Sequence, residues 1–297
     1  MLDQGVSGGH GYSTLMGAGA REEASFLETP RGAVFSVTHI PSRPWAALLI
    51  CPPLLGELLV NYRREVLLAR ALASVGIGVQ RFHYLGTGHS FGDEGALTLE
   101  SMIEDARTAL GAMRNRIQVE RVGFLGTRWG ALVSASCARG EERAPLIFWQ
   151  PVLQAERFIQ EAIRARVMRR LRKQQGSKTS EKDEVAELLN RGWLDVLGYR
   201  LDQRLYASGL GRSLQEALSG TTGPVFILDF GRRGDPSPAY RRLAAELRAR
   251  ERDATVRNLP KETAVWFSAR PPQGKTPAVD VTTTWLRDAL MNQVTSK

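Results

Sequence analysis

The residues best placed to do chemistry lie in the run Gly126-Thr127-Arg128-Trp129-Gly130. The spacing is that of a nucleophile elbow, G-x-S-x-G, which carries a serine on a strained turn between a buried strand and a helix. Residues 121–125 read as the strand and residues 131–135 as the helix. The central residue, however, is Arg128, whose guanidinium stays protonated and cannot attack a carbonyl. Where such an elbow hydrolyses, an acid and then a histidine follow it in the chain. The four histidines here, His10, His39, His83 and His89, all precede Arg128. Ordinary serine hydrolysis is therefore excluded. What remains at the turn is the chemistry of a guanidinium beside the free amides of Trp129 and Gly130 at a helix start, which suits a carboxylate, phosphate or sulfate. The same arginine can instead pair internally with Glu57, Asp93 or Asp235 and plug an inactive site.

A second constellation uses a thiol. The strands ending at Cys51, His83 and Gly126 would be neighbours at the centre of a sheet if the family resemblance described below holds, and their ends would then converge on one crevice. A Cys51–His83 dyad there, with Arg128 lowering the thiol pKa, would support esterase, thioesterase or acyltransferase chemistry. Against it, Cys51 closes an apolar run and reads equally as an inert core thiol. Glu57 and Arg64, at the start of the following helix, are placed to reach the same crevice.

The elements that must position these groups alternate between strand and helix. Residues 46–51 form a continuous apolar run, as expected of a strand buried on both faces. Further strands are predicted at 78–83, 145–149, 224–229 and 254–257, with helices at 62–75, 99–115, 238–252 and 281–293. A hairpin at 26–37 precedes them. Such alternation predicts an α/β fold with a mostly parallel central sheet flanked by helices. Residues 1–22, rich in glycine, read as a flexible tail. The core runs over 23–150 and 224–297, and 151–223 interrupt it as a helical lid over the carboxyl edge of the sheet. Trp149, Trp193 and Tyr199 are expected to line or roof the crevice.

Of the 297 residues 43% are hydrophobic and 24% charged, the composition of an ordinary globular protein. The net charge of +9 comes mostly from arginine, interspersed with acids, and no nucleic-acid-binding motif accompanies it. Nucleic acid is not an expected partner. The basic stretch 163–173 reads as a lid helix with its charges in water, or as a helix lying on an anionic membrane surface. Two cysteines, Cys51 and Cys137, argue for reduced thiols. With no signal-peptide pattern the expected compartment is the cytoplasm. No metal-ligand spacing or cofactor motif is present, so neither metal nor cofactor is expected. A small anionic or acyl ligand is the expected partner, and a homodimer is compatible with the sequence.

Several stretches bear a family resemblance. Gly86-Thr87-Gly88-His89-Ser90, followed by Gly92-Asp93, resembles the segment D-x-x-G-x-G-x-S-x-G of α/β-hydrolases, with His83 where that family has aspartate. Cys51-Pro52-Pro53-Leu54-Leu55-Gly56-Glu57 stands where the family forms its oxyanion loop, which implies a ligand-facing role for Leu55, Gly56 and Glu57. Gly231-Arg232-Arg233-Gly234-Asp235 is similar to the loop that holds the family's acid and places Asp235 there, although a turn residue before Pro236 looks the same. Three stretches more narrowly resemble the exosortase A system-associated hydrolases: Pro52-Pro53 through Glu57, Asn61 and Arg63-Arg64; Trp149-Gln150-Pro151-Val152; and Gly192 through Val196-Leu197-Gly198-Tyr199. That resemblance implies an α/β-hydrolase fold, within which the residues of this chain leave the Ser-Asp-His triad degenerate, and a bacterial exopolysaccharide or protein-sorting context.

Overall fold

A computed structural model describes residues 12–15, 20–172, 180–231, 234–265 and 276–292. Among them one sheet of nine strands forms the centre, in the order β1-β2-β3-β5-β4-β6-β7-β10-β11. Strands β1 (Tyr12–Leu15), β2 (Arg21–Thr29) and β3 (Gly32–Ile40) are antiparallel, and β3 also runs antiparallel to its neighbour β5 (Ile77–Phe82). From β5 onward every pairing is parallel: β4 (Ala46–Cys51), β6 (Val122–Thr127), β7 (Leu146–Trp149), β10 (Val225–Phe230) and β11 (Ala254–Leu259). The glycine-rich stretch expected to be tail thus contributes β1 and the first residues of β2.

Strands β4, β5 and β6 are buried along their whole length, because helices cover both faces. Leu48 and Ile50 point into one core with Leu68 and Leu72 of α1 (Gly56–Ser74) and Leu286 and Leu290 of α9 (Pro277–Asn292). Ala47, Leu49 and Cys51 point the other way. They join Met102 and Ala106 of α2 (Leu99–Ile117) and Leu132 of α3 (Gly130–Cys137). After β4 the chain pairs first on one side, with β5, and then on the other, with β6. The crevice where ligands meet such sheets lies at that reversal, between the carboxyl ends of β4 and β6.

Between β7 and β10 the chain leaves the sheet. The insertion holds α4 (Ala155–Arg172), α5 (Glu181–Arg191), a hairpin of β8 (Trp193–Val196) and β9 (Tyr199–Asp202), α6 (Gln203–Gly209) and α7 (Leu214–Leu218). Its entry and exit are stitched together: Ala155 donates to the Arg212 carbonyl at 3.0 Å and Leu214 to that of Leu153 at 2.9 Å. Inside, the fully buried Glu184 of α5 accepts from Arg166 at 2.6 Å and Arg170 at 2.7 Å of α4. The sequence predicts only helices and short unassigned elements here. The hairpin turn, Leu197-Gly198, has positive φ at both positions (59° and 97°), the type I′ geometry that matches strand twist. Another helix of the core, α8 (Pro238–Arg248), connects β10 to β11.

Candidate functional site

Arg128 sits at the sharp turn between β6 and α3. Its φ of 53° is the left-handed conformation that an elbow imposes, a backbone state costing about 1–3 kcal/mol for a residue with a side chain. The turn is held from below: Arg128 donates its backbone N–H to the Trp149 carbonyl at 3.0 Å, and its own carbonyl accepts from Ala131 at 3.1 Å and Val152 at 3.2 Å. A β-carbon at Gly130 would run into the carbonyl oxygens of Cys51 and Pro52, so only glycine lets α3 start this close to the loop after β4. The elbow predicted from sequence is built.

The guanidinium is taken by two carboxylates. Arg128 Nε donates to Glu57 Oε1 at 3.0 Å, and Nη2 donates to Glu161 Oε2. Glu57 opens α1, as expected, whereas Glu161 comes from α4 of the insertion. Neither Asp93 nor Asp235 supplies the partner: Asp93 meets Arg200 at 3.6 Å, and the carbonyl of the exposed Asp235 accepts from Asn258 at 3.1 Å. The Arg128 side chain is only 6% exposed and that of Glu57 not at all, while Glu161 is 32% exposed. Burial pulls the guanidinium pKa down, but the two carboxylates outweigh it and hold Arg128 charged above its usual range. Burial pushes Glu57 up to about 7 despite Arg128, and its Oε2 has no hydrogen-bond partner among the described residues. The Tyr240 hydroxyl, within electrostatic reach of Arg128, donates to the Pro151 carbonyl at 3.0 Å.

Trp129, the next elbow residue, is fully buried. Its ring lies 5.2 Å from that of Phe158 on α4, and its indole N–H has no acceptor among the described residues. Leu55, before Glu57, is buried at the N-cap of α1 with φ 54°, and Gly56 is half-buried beside it. These residues, Leu55, Gly56, Glu57, Arg128 and Trp129, are brought together as the sequence predicts.

The remaining expectations are corrected. Arg64 does not reach the crevice. It lies fully buried two turns beyond Glu57 on the same stripe of α1, where it donates to Glu262 from Nε (3.1 Å) and Nη2 (2.8 Å), to the Thr263 carbonyl and to Asn61. Its guanidinium also lies 5.0 Å from the Phe230 ring. Trp149 belongs to the same interior, bonded to Thr282 of α9, and lines no crevice.

The Cys51–His83 dyad is not formed. Ile50 pairs with Arg81, so Arg81 and His83 share the face of Ile50 while Cys51 faces the other side of the sheet. Burial pushes the Cys51 thiol well above its ordinary pKa, and the neighbouring Cys137 and Glu65 act in the same direction. His83 is held neutral, with a pKa of about 4, by burial and then by His89 and Arg81, and its Nδ1 accepts from the His89 amide at 3.1 Å. Asp235 is exposed, and no histidine follows it in the chain for it to orient. The loop residues Arg232 and Arg233 lie outside the described residues.

Sequence reasoning missed Glu161, Tyr240 and Glu262. It also missed Glu65, which is buried, bonded by Asn61 at 2.8 Å, and raised by that burial to about 7. The available signal was α1 itself: Glu57, Asn61, Arg64 and Glu65 lie on one helical stripe that faces the core.

Of the basic cluster at 163–173, Arg164 pairs with Glu181, and Arg166 and Arg170 with Glu184 of α5. Arg169, Arg172, Met168 and Leu171 are exposed, and Lys173 lies outside the described residues. Among the described residues, no helix is long and apolar enough to cross a membrane, and no cluster of three or more His, Cys, Asp or Glu could hold a metal ion.

Sheet order, elbow and insertion together define the α/β-hydrolase fold. Solved structures of that fold superpose over almost the whole chain. Est1E from Butyrivibrio proteoclasticus is 13% identical with a TM-score of 0.63, over 91% of this chain and 98% of its own. A proline iminopeptidase-related protein from Thermus thermophilus is 19% identical with a TM-score of 0.58, over 91% and 98%. An α/β serine hydrolase without a lid from Xanthomonas campestris is 16% identical with a TM-score of 0.52, over 93% and 96%. At these identities the likeness shows the fold alone. No protein-family model matches the chain, and no curated protein matches it.

Proposed function

We propose that this α/β-hydrolase-fold protein does not hydrolyse, and works instead as a ligand-binding or accessory protein through the elbow at Arg128. The observation that carries the reading is the occupied elbow. The position that would present a nucleophile presents a guanidinium clamped between Glu57 and Glu161, and no histidine follows it in the chain. An elbow without nucleophile or base retains only the modest rate enhancement that binding and oriented amides supply. The bacterial exopolysaccharide or protein-sorting setting is part of the proposal and rests on the three resembling stretches named above. The esterase reading through Cys51 and His83 loses its support once the two side chains face opposite sides of the sheet.

The test is intact mass after incubation with a fluorophosphonate probe and, separately, with an activated acyl thioester. No adduct is expected on the folded protein. An adduct mapped to a serine or to Cys51 would overturn the non-hydrolytic reading.

A further inference from the structure

Helix α4 covers the elbow with two residues about one turn apart. Phe158 lies on the Trp129 ring and Glu161 on Arg128, so one movement of this helix would uncover both elbow residues. The two carboxylates on Arg128 are not equivalent, since Glu57 is wholly buried and fixed in the core whereas Glu161 is 32% exposed. Two polar atoms beside this contact remain unsatisfied among the described residues, the indole N–H of Trp129 and Oε2 of Glu57, each in a side chain with no solvent exposure. Groups left in that state in a folded core call for an explanation, and a ligand group is one.

We propose that Glu161 is an internal stand-in for the carboxylate of a ligand. A small organic carboxylate with an apolar or aromatic body displaces Glu161 from Arg128, places its body between the Trp129 and Phe158 rings, and frees α4 from the elbow. This rests on reading the elbow as a binding site. Charge selects the class. Exchanging one carboxylate for another leaves the charge around Arg128 unchanged, whereas a phosphate dianion would bring extra negative charge beside the buried Glu57. Planar carboxylates also match the guanidinium fork. In the closed protein the internal carboxylate competes with the ligand, so the apparent affinity is reduced by the fraction of molecules in which Arg128 is free of Glu161.

Calorimetric titration of the full chain with benzoate, benzamide and phenyl phosphate tests this in the wild type and in Glu161→Ala. Benzoate is expected to bind the variant at least tenfold more tightly than the wild type. In the variant, benzamide and phenyl phosphate should each bind at least tenfold more weakly than benzoate. Adding Arg128→Lys, which keeps a cation for Glu57 but loses the fork, should weaken benzoate tenfold or more. Equal benzoate affinity with and without Glu161 overturns the proposal, and so does phenyl phosphate binding as well as benzoate. An adduct with the fluorophosphonate probe while the Glu161→Ala gain persists would remove the non-hydrolytic reading and leave this one standing. A missing gain with no adduct would do the reverse.

Discussion

Replacing Arg128 with methionine should destabilise the protein in a way that depends on pH, because the arginine's chief structural task is to keep Glu57 tolerable as an anion. Glu57 is fully buried, and burial holds its pKa near 7 even with the guanidinium 3.0 Å away, against an ordinary 4.5. A carboxyl whose folded pKa is raised stabilises the fold fully below about 4.5, and that contribution disappears as pH rises through about 7. The gap is worth about 3 kcal/mol at about 1.4 kcal/mol per pH unit. Without Arg128 the folded pKa climbs further, so the loss continues above pH 7. At about pH 8 the variant should fall short of the wild type by about 2 kcal/mol: about 1 kcal/mol for the lost hydrogen bond and about 1.4 kcal/mol for the one pH unit over which only the wild-type Glu57 has ionised. At about pH 5.5, where Glu57 is largely neutral in both proteins, the deficit should shrink to about 1 kcal/mol, the value of a lost hydrogen bond. Glu161 adds little, since a third of its side chain already meets water. Urea denaturation at the two pH values reads the difference from midpoint and slope. Adding Glu57→Gln to the variant removes the stranded charge and should recover most of the loss at the higher pH. An equal deficit at both pH values, or no recovery with Glu57→Gln, would refute the argument.

Two further outcomes follow from the interior. Arg64→Leu should cost about 3–5 kcal/mol by leaving Glu262 buried without its cation. It should also speed amide exchange at the start of α9, where Ala278 donates to the same carboxylate at 2.9 Å. Cys51, fully buried with its pKa raised, should stay unreactive towards a thiol reagent at pH 8 until the protein is denatured. Rapid labelling of the native protein would mean that the strand end opens.

The sequence revealed most of the fold through its apolar strands. Residues 46–51 were legible because both faces of β4 are buried, and the glycines around Arg128 marked a turn that the structure contains. Helix α1 was harder to place. Its apolar spacing was legible only from residue 62, six residues after the true start, because Glu57, Asn61, Arg64 and Glu65 give its inward face the look of an outward one. Arg64 was misplaced along the helix and not around it: two turns beyond Glu57, its side chain meets Glu262 and the Thr263 carbonyl. Glu161 could not be singled out, because α4 carries many charges and only the folding of the insertion back onto the elbow selects one of them. The Cys51–His83 pairing failed on strand register. Neighbouring strand ends bring two side chains together only when both point to the same face, and that parity appears only once Ile50 is seen opposite Arg81.

The clamp on Arg128 also bears on how this elbow can change over generations. A serine introduced at position 128 would find no histidine after it in the chain to activate it. It would at once leave Glu57 without its counter-charge in the interior. Replacing Arg128 alone must therefore pass through a less stable protein, and a domain has only about 5–15 kcal/mol of stability in all. The arginine is entrenched by the carboxylates around it. Such a ratchet would hold the turn in its present form even in lineages where nothing binds there, and it predicts that residues 57 and 128 are replaced together or not at all.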